Sequence, residues 1–494
     1  MVLKLRPGMT PKELDSFKRE RARRAGASCV VANAELLAEL DSKERKRLKP
    51  LLRTRRTRSA SGVCVIAVMT RPWPCPGKCT YCPTGEAPKS YTGFEPAARR
   101  AKQNNYDAYA QVDDRIHQLE AIGHEPSKCE LVIMGGTFNS QPRAYQTRFI
   151  KRAFDAFNSS TAGTLALAKK RNETAKYRVT GLTLETRPDW CTPSEVKRFV
   201  GYGATRIELG VQSLDEAVLR RVNRGHGLQE VADATRACKE AFLKVGYHIM
   251  PGLYSNAEKD AEMFRELFAN EAYKPDMLKI YPCLVIKGTK VYEEWKRGEF
   301  KPYSTQDAAE AIAEAKRFVP PYCRIMRVDR DIPTNLIAAG VDKSNLREIV
   351  AREAKARGIE CKCIRCREIG FRKPEGKPRL ARLDYAASGG TESFLSFEDS
   401  AGVLWAFLRL RRNADGACGV RELRVFGEQT PVGAAKRQAQ HAGYGARLLS
   451  EAERIAGKEW DARELCVLAG VGARGYYRKQ GFKLRGDYMV KRLR

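Results

Sequence analysis

The stretch Cys75-Pro-Gly-Lys-Cys79-Thr-Tyr-Cys82 decides how the rest of the chain is read. Its cysteines are spaced C-x3-C-x2-C, close enough for one loop to present three thiolates to a single metal centre. A structural cluster or zinc site takes four protein ligands, whereas a site one ligand short keeps a coordination position open for chemistry. An iron–sulfur cluster is the expected occupant. The alternative is a three-cysteine zinc knuckle with its fourth ligand from elsewhere. Pro74, Pro76 and Gly77 flank the thiols and Tyr81 stands beside the last of them, which suits the cluster reading.

Working outward, Val63-Cys-Val-Ile-Ala-Val-Met69 is a continuous apolar run, the pattern of a buried parallel strand leading into the loop. Glu130-Leu-Val-Ile-Met-Gly135-Gly136-Thr137-Phe138 ends a second strand in glycines, which let backbone approach a ligand. The stretches 181–189 and 206–213 end in polar groups, and a helix start is read at Asp215. The strands at 247–253 and 277–285 continue the series, with helical patterns such as Ala257 to Phe268 between them. Alternation of this kind predicts βα repeats around a parallel sheet or barrel, whose ligand sits at the carboxyl ends of the strands. The cysteine loop, Gly135, Gly136, Thr137, Glu185 and Gln212 all fall at those ends. Taken singly, each polar residue is equally well explained as turn chemistry. For Arg187 and Arg206 structural ion pairs are expected.

The chain has 494 residues, with Lys+Arg 90 against Asp+Glu 59 and a net charge of +31. That excess implies a polyanionic partner, nucleic acid before membrane. Fifteen cysteines in a chain of this length do not make a secreted disulfide scaffold. Scattered ones such as Cys129, Cys238 and Cys466 are read as buried small hydrophobes. With no apolar leader and no 18-residue span, a reducing, cytoplasmic setting is expected. Two helices are read near the N-terminus, at 17–24 and 33–40, followed by the run Arg53-Thr-Arg-Arg-Thr-Arg58. Arg21, Arg23, Arg24, Arg53, Arg55, Arg56 and Arg58 read as an arm that tracks phosphates, with little base stacking. A solvated charged face is the alternative.

A second thiol group, Cys361-Lys-Cys363-Ile-Arg-Cys366, reads as a zinc site. Its fourth ligand is open among a water, Cys283 and Cys323; three unligated thiols are the alternative. The last hundred-odd residues read as a separate α/β unit with consecutive antiparallel strands at 392–397, 402–410 and 420–426. Gln440-His441-Ala442-Gly443-Tyr444-Gly445 then opens a helix, and such a turn points free N–H groups at the pyrophosphate of coenzyme A. A strand at 464–469 follows. Tyr476 and Tyr477 carry phenols with a pKa near 10, able to donate to a departing thiolate. Glu422 is the one candidate base, or equally a surface strand residue.

The cysteine spacing resembles the signature of radical S-adenosylmethionine enzymes, several of which share Gly210-Val-Gln-Ser213 with a later Asn223-Arg-Gly-His226. The stretches 90–96, 134–138, 185–189 and 284–289 together resemble the catalytic subunit of Elongator, over nearly the whole chain after residue 60. The turn at 440–445 and its flanking strands resemble the GNAT acetyltransferase core. The resemblance implies an α/β chain with four parts: a basic tRNA-binding segment at 1–60, a partial (β/α) radical SAM barrel at 61–357, a zinc-bound connector at 358–376 and a GNAT-like acetyl-CoA domain at 377–494. It implies a 4Fe-4S cluster, S-adenosylmethionine, acetyl-CoA and zinc. It gives Gly135, Gly136 and Thr137 to the amino group of S-adenosylmethionine, and Glu185 and Gln212 to its ribose and polar tail. Lys128 and Lys244 match lysines the family uses around acetyl-CoA hydrolysis and tRNA contact. The implied reaction carboxymethylates the wobble uridine, in the anticodon region of tRNA, at carbon 5. Elongator-type accessory subunits are possible partners; the oligomeric state is open. The rivals are a protein acetyltransferase with a structural iron–sulfur domain, another kind of radical enzyme, and a tRNA-binding scaffold.

Overall fold

The strands expected around the cysteine loop form one parallel sheet. The computed structural model describes residues 4–55, 59–83, 85–427 and 443–493. Strands β1 (Cys64–Met69), β2 (Lys128–Met134), β3 (Arg178–Thr186), β4 (Arg206–Gln212), β5 (Lys244–Ile249) and β6 (Met277–Ile280) lie side by side in chain order. After the short β7 (Val285–Ile286) the chain returns beside β6 as β8 (Arg324–Val328), and β9 (Ile337–Ala339) pairs antiparallel with β7. Strands β1 and β8 are left as edges, so the barrel is open. Its outward side chains, among them Leu131, Ile133, Leu184, Leu209 and Leu278, are fully buried beneath helices. The alternate residues Glu130, Glu185, Glu208, His248 and Lys279 share the inner face, where Glu185 registers with Glu208 and His248 with Lys279.

Two sequence expectations change. The strand read through to Val285 breaks after Ile280, because Pro282 brings no N–H to a ladder, and the chain leaves for the β7–β9 ribbon. Strand β1 is parallel but lies at the edge, where Val65 remains 48% exposed instead of buried.

The N-terminal part holds three helices where two were expected: α1 (Pro11–Arg24), α2 (Asn33–Glu39) and α3 (Ser42–Leu52). Asp41 caps α3 by accepting from Glu44 N at 2.7 Å. Leu14, Leu36, Leu37, Leu48 and Leu52 form their shared core.

The C-terminal part is a second sheet made of β10 (Arg379–Ala387), β11 (Gly390–Glu398), β12 (Leu404–Arg412), β13 (Cys418–Val425), β14 (Glu464–Val467), β15 (Lys483–Arg485) and β16 (Tyr488–Arg492). The three expected antiparallel strands are β11 to β13; β10 precedes them, largely exposed and charged. This sheet docks on the end of the barrel opposite the cysteine loop. Arg421 pairs with Asp276 and donates to Leu243 O at 2.8 Å, and Asn413 donates to Glu240 O at 2.9 Å. Those partners lie just before β6 and β5. Among the described residues no helix is long and apolar enough to cross a membrane.

Candidate active site

The loop after β1 carries Cys75, Cys79 and Cys82 to the carboxyl ends of the strands. All three line one cleft of about 1150 Å³, its open mouth included. Gly136, Thr137, Glu185 and Gln212 line the same cleft from the ends of β2, β3 and β4. Gly135 lies behind it with φ at 134°, where a Cβ would overlap Thr70 Oγ1, so glycine alone lets the strand turn in at that point.

The sulfurs are surrounded by donors. Gly77 N donates to Cys75 at 3.4 Å and Arg224 Nη1 to Cys79 at 3.4 Å, while the Ser90 hydroxyl lies 3.4 Å from Cys82. Burial pushes the Cys82 thiol up, and the Ser90 hydrogen bond works against it. Arg187, paired with Asp189 at 2.8 Å, passes directly beneath the loop, where a Cβ on Gly77 would collide with it. Its Nη1 is buried without a hydrogen-bond partner. A buried cationic N–H under three thiols fits an anionic iron–sulfur cluster. Cys283 belongs to the same buried cluster as Cys82 but does not line the cleft. The site is therefore one ligand short among the described residues.

The inner face of the barrel supplies the deeper wall. Glu208 and His248 approach within 3.0 Å, Lys279 pairs with Glu208 and, at 3.3 Å, with Glu185, and Tyr91 OH donates to Glu185 at 3.0 Å. Burial disfavours the Glu208 charge, yet Lys279, His248 and Arg206 together hold its carboxyl well below the usual range. Glu185, Glu208 and His248 offer ligand atoms within 4.8 Å of one another. The Lys279 ammonium already meets both carboxylates there, so this wall is set for hydrogen bonding. Burial and the neighbouring Arg224 lower His226 to about 4, leaving it neutral at pH 7. Arg206 pairs with Glu130 as an ion pair, and its Nε lies 3.2 Å from Glu208 Oε1 without hydrogen-bond alignment, interacting by charge alone. Sequence reading missed Lys89, Arg224, His248, Lys279, Tyr281 and Arg330 in this cleft. The period of two along β5 and β6 was the available signal for His248 and Lys279.

The other expected residues are dispersed. The Cys361, Cys363 and Cys366 sulfurs lie within 4.8 Å of one another, at a short helix 364–367. Of the suggested fourth ligands, Cys283 sits instead with the first thiol group. Cys323 lies near Cys363, outside the sulfur group, and burial holds its thiol well above the ordinary value. Lys128 and Lys244 open β2 and β5, at the end away from the cleft, and burial lowers both ammonium groups. Lys244 there faces Glu422, which is buried and paired with Arg409 at 3.0 Å, so Glu422 is neither a surface residue nor a free base. Gly443, with φ at 84°, caps the helix Tyr444–Arg454; Gln440, His441 and Ala442 lie outside the described residues. The Tyr476 hydroxyl would stand 3.1 Å from a Cβ on Gly445, whereas Tyr477 packs in the core of this sheet against Phe482. In the N-terminal arm Arg21 pairs with Glu39 at 2.6 Å and Arg24 with Glu20. Arg53 donates to Gly123 O at 3.2 Å, Arg23 and Arg55 are exposed, and Arg56 and Arg58 lie outside the described residues.

An open parallel barrel with three thiols at the carboxyl ends of its strands defines a radical S-adenosylmethionine site. Residues 75–268 match the Radical SAM superfamily, and residues 275–356 the Radical_SAM C-terminal domain. The chain is 47% identical over 488 residues to "tRNA uridine(34) acetyltransferase" of Methanocaldococcus infernus, covering 94% of this chain and 91% of that protein. It is 40% identical over 511 residues to human "Elongator complex protein 3", covering 98% and 93%. The solved structure of M. infernus Elp3 with an N-terminal deletion (1–46) superposes with a TM-score of 0.79 at 44% identity, covering 87% of this chain and 99% of that one. The chain thus belongs to the Elongator complex protein 3 family within the Radical SAM superfamily, a membership that implies an iron–sulfur cluster and S-adenosylmethionine.

Proposed function

We propose that this chain modifies uridine 34 of tRNA, joining radical chemistry at the cysteine cleft to an acetyl group delivered as acetyl-CoA, with a 5-carboxymethyl group as product. The names of its relatives supply the tRNA position and the acetyl group. The observation that carries the radical half is that three cysteines, and not four, line the cleft. A 4Fe-4S cluster held by Cys75, Cys79 and Cys82, with S-adenosylmethionine, would supply one-electron chemistry there.

The side chains of the chain then have distinct tasks. Gly136, Thr137, Glu185 and Gln212 orient the cofactor's polar groups, with Gly135 shaping the turn. The amino-terminal end of the helix Tyr444–Arg454, with Gln440, His441 and Ala442 preceding it in sequence, takes the coenzyme A pyrophosphate. Burial raises the Tyr476 phenol to about 12, so it stays protonated at neutral pH and can donate to a departing thiolate. Lys128 and Lys244, at the base of the barrel, stand on the side of the C-terminal sheet. The basic arm holds tRNA by its phosphates, and zinc on Cys361, Cys363 and Cys366 clamps the connector. The four parts divide as 1–60, 61–357, 358–376 and 377–494, and a cytoplasmic setting with Elongator-type partners follows from the same reading.

The test is anaerobic reconstitution with iron and sulfide, incubation with acetyl-CoA, S-adenosylmethionine and tRNA, then mass spectrometry of the nucleosides. 5-Carboxymethyluridine is expected from the intact chain and none from Cys→Ala changes at the three cluster positions. Transfer of acetyl to protein lysines that survives those changes would overturn the reading.

A further inference from the structure

Six cationic side chains line the cleft: Lys89, Arg187, Arg224, Lys279, Arg327 and Arg330. Four have internal partners. Asp189 takes Arg187, Asp331 takes Arg327, Glu185 and Glu208 take Lys279, and Arg224 donates to Cys79 Sγ and Gly210 O. Lys89 and Arg330 differ. Among the described residues neither has a carboxylate within ion-pairing distance.

Both are nevertheless held in place. Arg330 donates to Ser90 O, the carbonyl next to Lys89, and its guanidinium lies 6.0 Å from the Tyr91 ring and 5.9 Å from the Tyr281 ring. The Lys89 loop is fixed by Tyr91 N donating to Pro88 O at 3.0 Å and by Tyr91 OH on Glu185. Two half-exposed cations on pinned backbone, neither in a direct ion pair although Asp329 acts on Arg330 by charge, are arranged for an external anion. Five residues beyond Lys89 stands Phe94, 58% exposed. Its loop is fastened by Glu95, which accepts from Thr92 N at 2.9 Å and Gly93 N at 3.0 Å.

We propose that Lys89 and Arg330 clamp the phosphodiester beside the target nucleotide, with Phe94 as a platform for the adjoining base. The proposal rests on the tRNA reading given above and extends it to the cleft mouth. A lysine point charge with an arginine fork suits the free oxygens of a phosphodiester, and an exposed ring beside cations suits an unstacked base. A uridine must leave its stack to reach a cleft of this kind, and anchoring the backbone next to it holds the extruded base over the thiols. The carboxylate of S-adenosylmethionine is the competing anion. Lys89 and Arg330 both act by charge on Cys82, whereas Thr137 lies 3.9 Å from Cys75 Sγ. Gly136, also assigned to the cofactor, stands beside Lys89 O, so the KM for S-adenosylmethionine is what separates the two anions.

The test measures binding of a fluorescent anticodon stem-loop RNA to the full chain by anisotropy at several salt concentrations. Lys89→Met with Arg330→Met is expected to weaken binding about tenfold or more and to lower the salt slope by about one contact. Arg330→Lys should recover part of the loss. A neutral methylphosphonate beside uridine 34 should weaken the wild-type chain by the same factor and the double variant no further. The KM for S-adenosylmethionine in the reconstituted enzyme should not move. Unchanged RNA binding overturns the clamp, as does an equal methylphosphonate effect in both proteins or a rise confined to the KM for S-adenosylmethionine. A clamp confirmed by binding in a chain that never alters uridine 34 would uphold this inference while overturning the proposed reaction.

Discussion

Gly135 and Tyr476 illustrate what single residues contribute. Gly135→Ala meets two penalties, a φ of 134° and an overlap with Thr70 Oγ1, of which the backbone strain alone costs about 1–3 kcal/mol. It is expected to weaken S-adenosylmethionine binding at least tenfold while sparing the thiols, as read by cofactor titration beside the iron content. Gly136→Ala, whose Cβ would stand 3.2 Å from Lys89 O, has a positive φ but a milder contact and should lose less. For the tyrosines the geometry separates two neighbours that a sequence cannot. Tyr476→Phe should lower tRNA-stimulated acetyl-CoA hydrolysis by about a hundredfold or more, measured as thiol release. Tyr477→Phe, in the core, should leave it within about twofold. The paired glycines were legible because strand-end glycines have few other uses. The place of Arg187 beneath the loop was not, because an ion pair with Asp189 explains the same residue in sequence.

At the scale of elements, β2 to β6 were legible because apolar runs ending in glycines or polar groups alternate with helical patterns. What the alternation did not reveal is which strand is an edge, since pairing depends on the partner and not on the strand. Strand β10 was missed for a related reason: its residues Arg379 to Asp384 are exposed, so no buried face marks it. Helix α3 was missed because its apolar residues serve a small core shared with α1 and α2. The second thiol group, Cys361, Cys363 and Cys366, has a readable spacing. Cys363 caps the helix 364–367, Arg367 pairs with Glu398 at 2.7 Å, and Glu368 pairs with Arg324 on β8. This short element therefore ties the barrel to the C-terminal sheet. If zinc organises it, metal analysis of the purified chain should find about one zinc beyond the iron. Cys363→Ser should then lose that zinc and lower the melting temperature by about several degrees. An unchanged melting curve with no zinc found would leave the thiols without a metal.

For the whole molecule, the decisive feature is the charge buried where the two sheets meet. Asp276 faces Arg421 and Arg409, Glu392 faces Arg421, Arg411 and Lys239, and all six are buried. From this junction the charges continue inward. Arg424 lies 3.8 Å from Glu130, which pairs with Arg206 ahead of Glu208, Lys279 and Glu185. The barrel interior is thus filled by ion pairs from the C-terminal sheet to the cleft. Burial raises the cost of the Asp276 charge, but Arg421, Arg409 and Lys239 hold its carboxyl well below the usual range. Glu392, Glu422 and Glu130 are lowered as well, again against burial. A carboxyl depressed in the folded state contributes stability in full above its unfolded pKa and loses it as pH falls towards the folded value. Through these carboxyls the urea midpoint is expected to drop below about 4, where unfolded carboxylates begin to take up protons, while between about pH 6.5 and 4 His226, lowered to about 4, and Asp329, raised to about 6, act in opposite directions. Asp276→Ala leaves buried arginines uncompensated and should cost about 3–5 kcal/mol at pH 7, while making the acid decline shallower. A variant as stable as the wild type, with the same acid profile, would mean that the two sheets are held together by packing alone and that the buried charges serve the interior of the barrel instead.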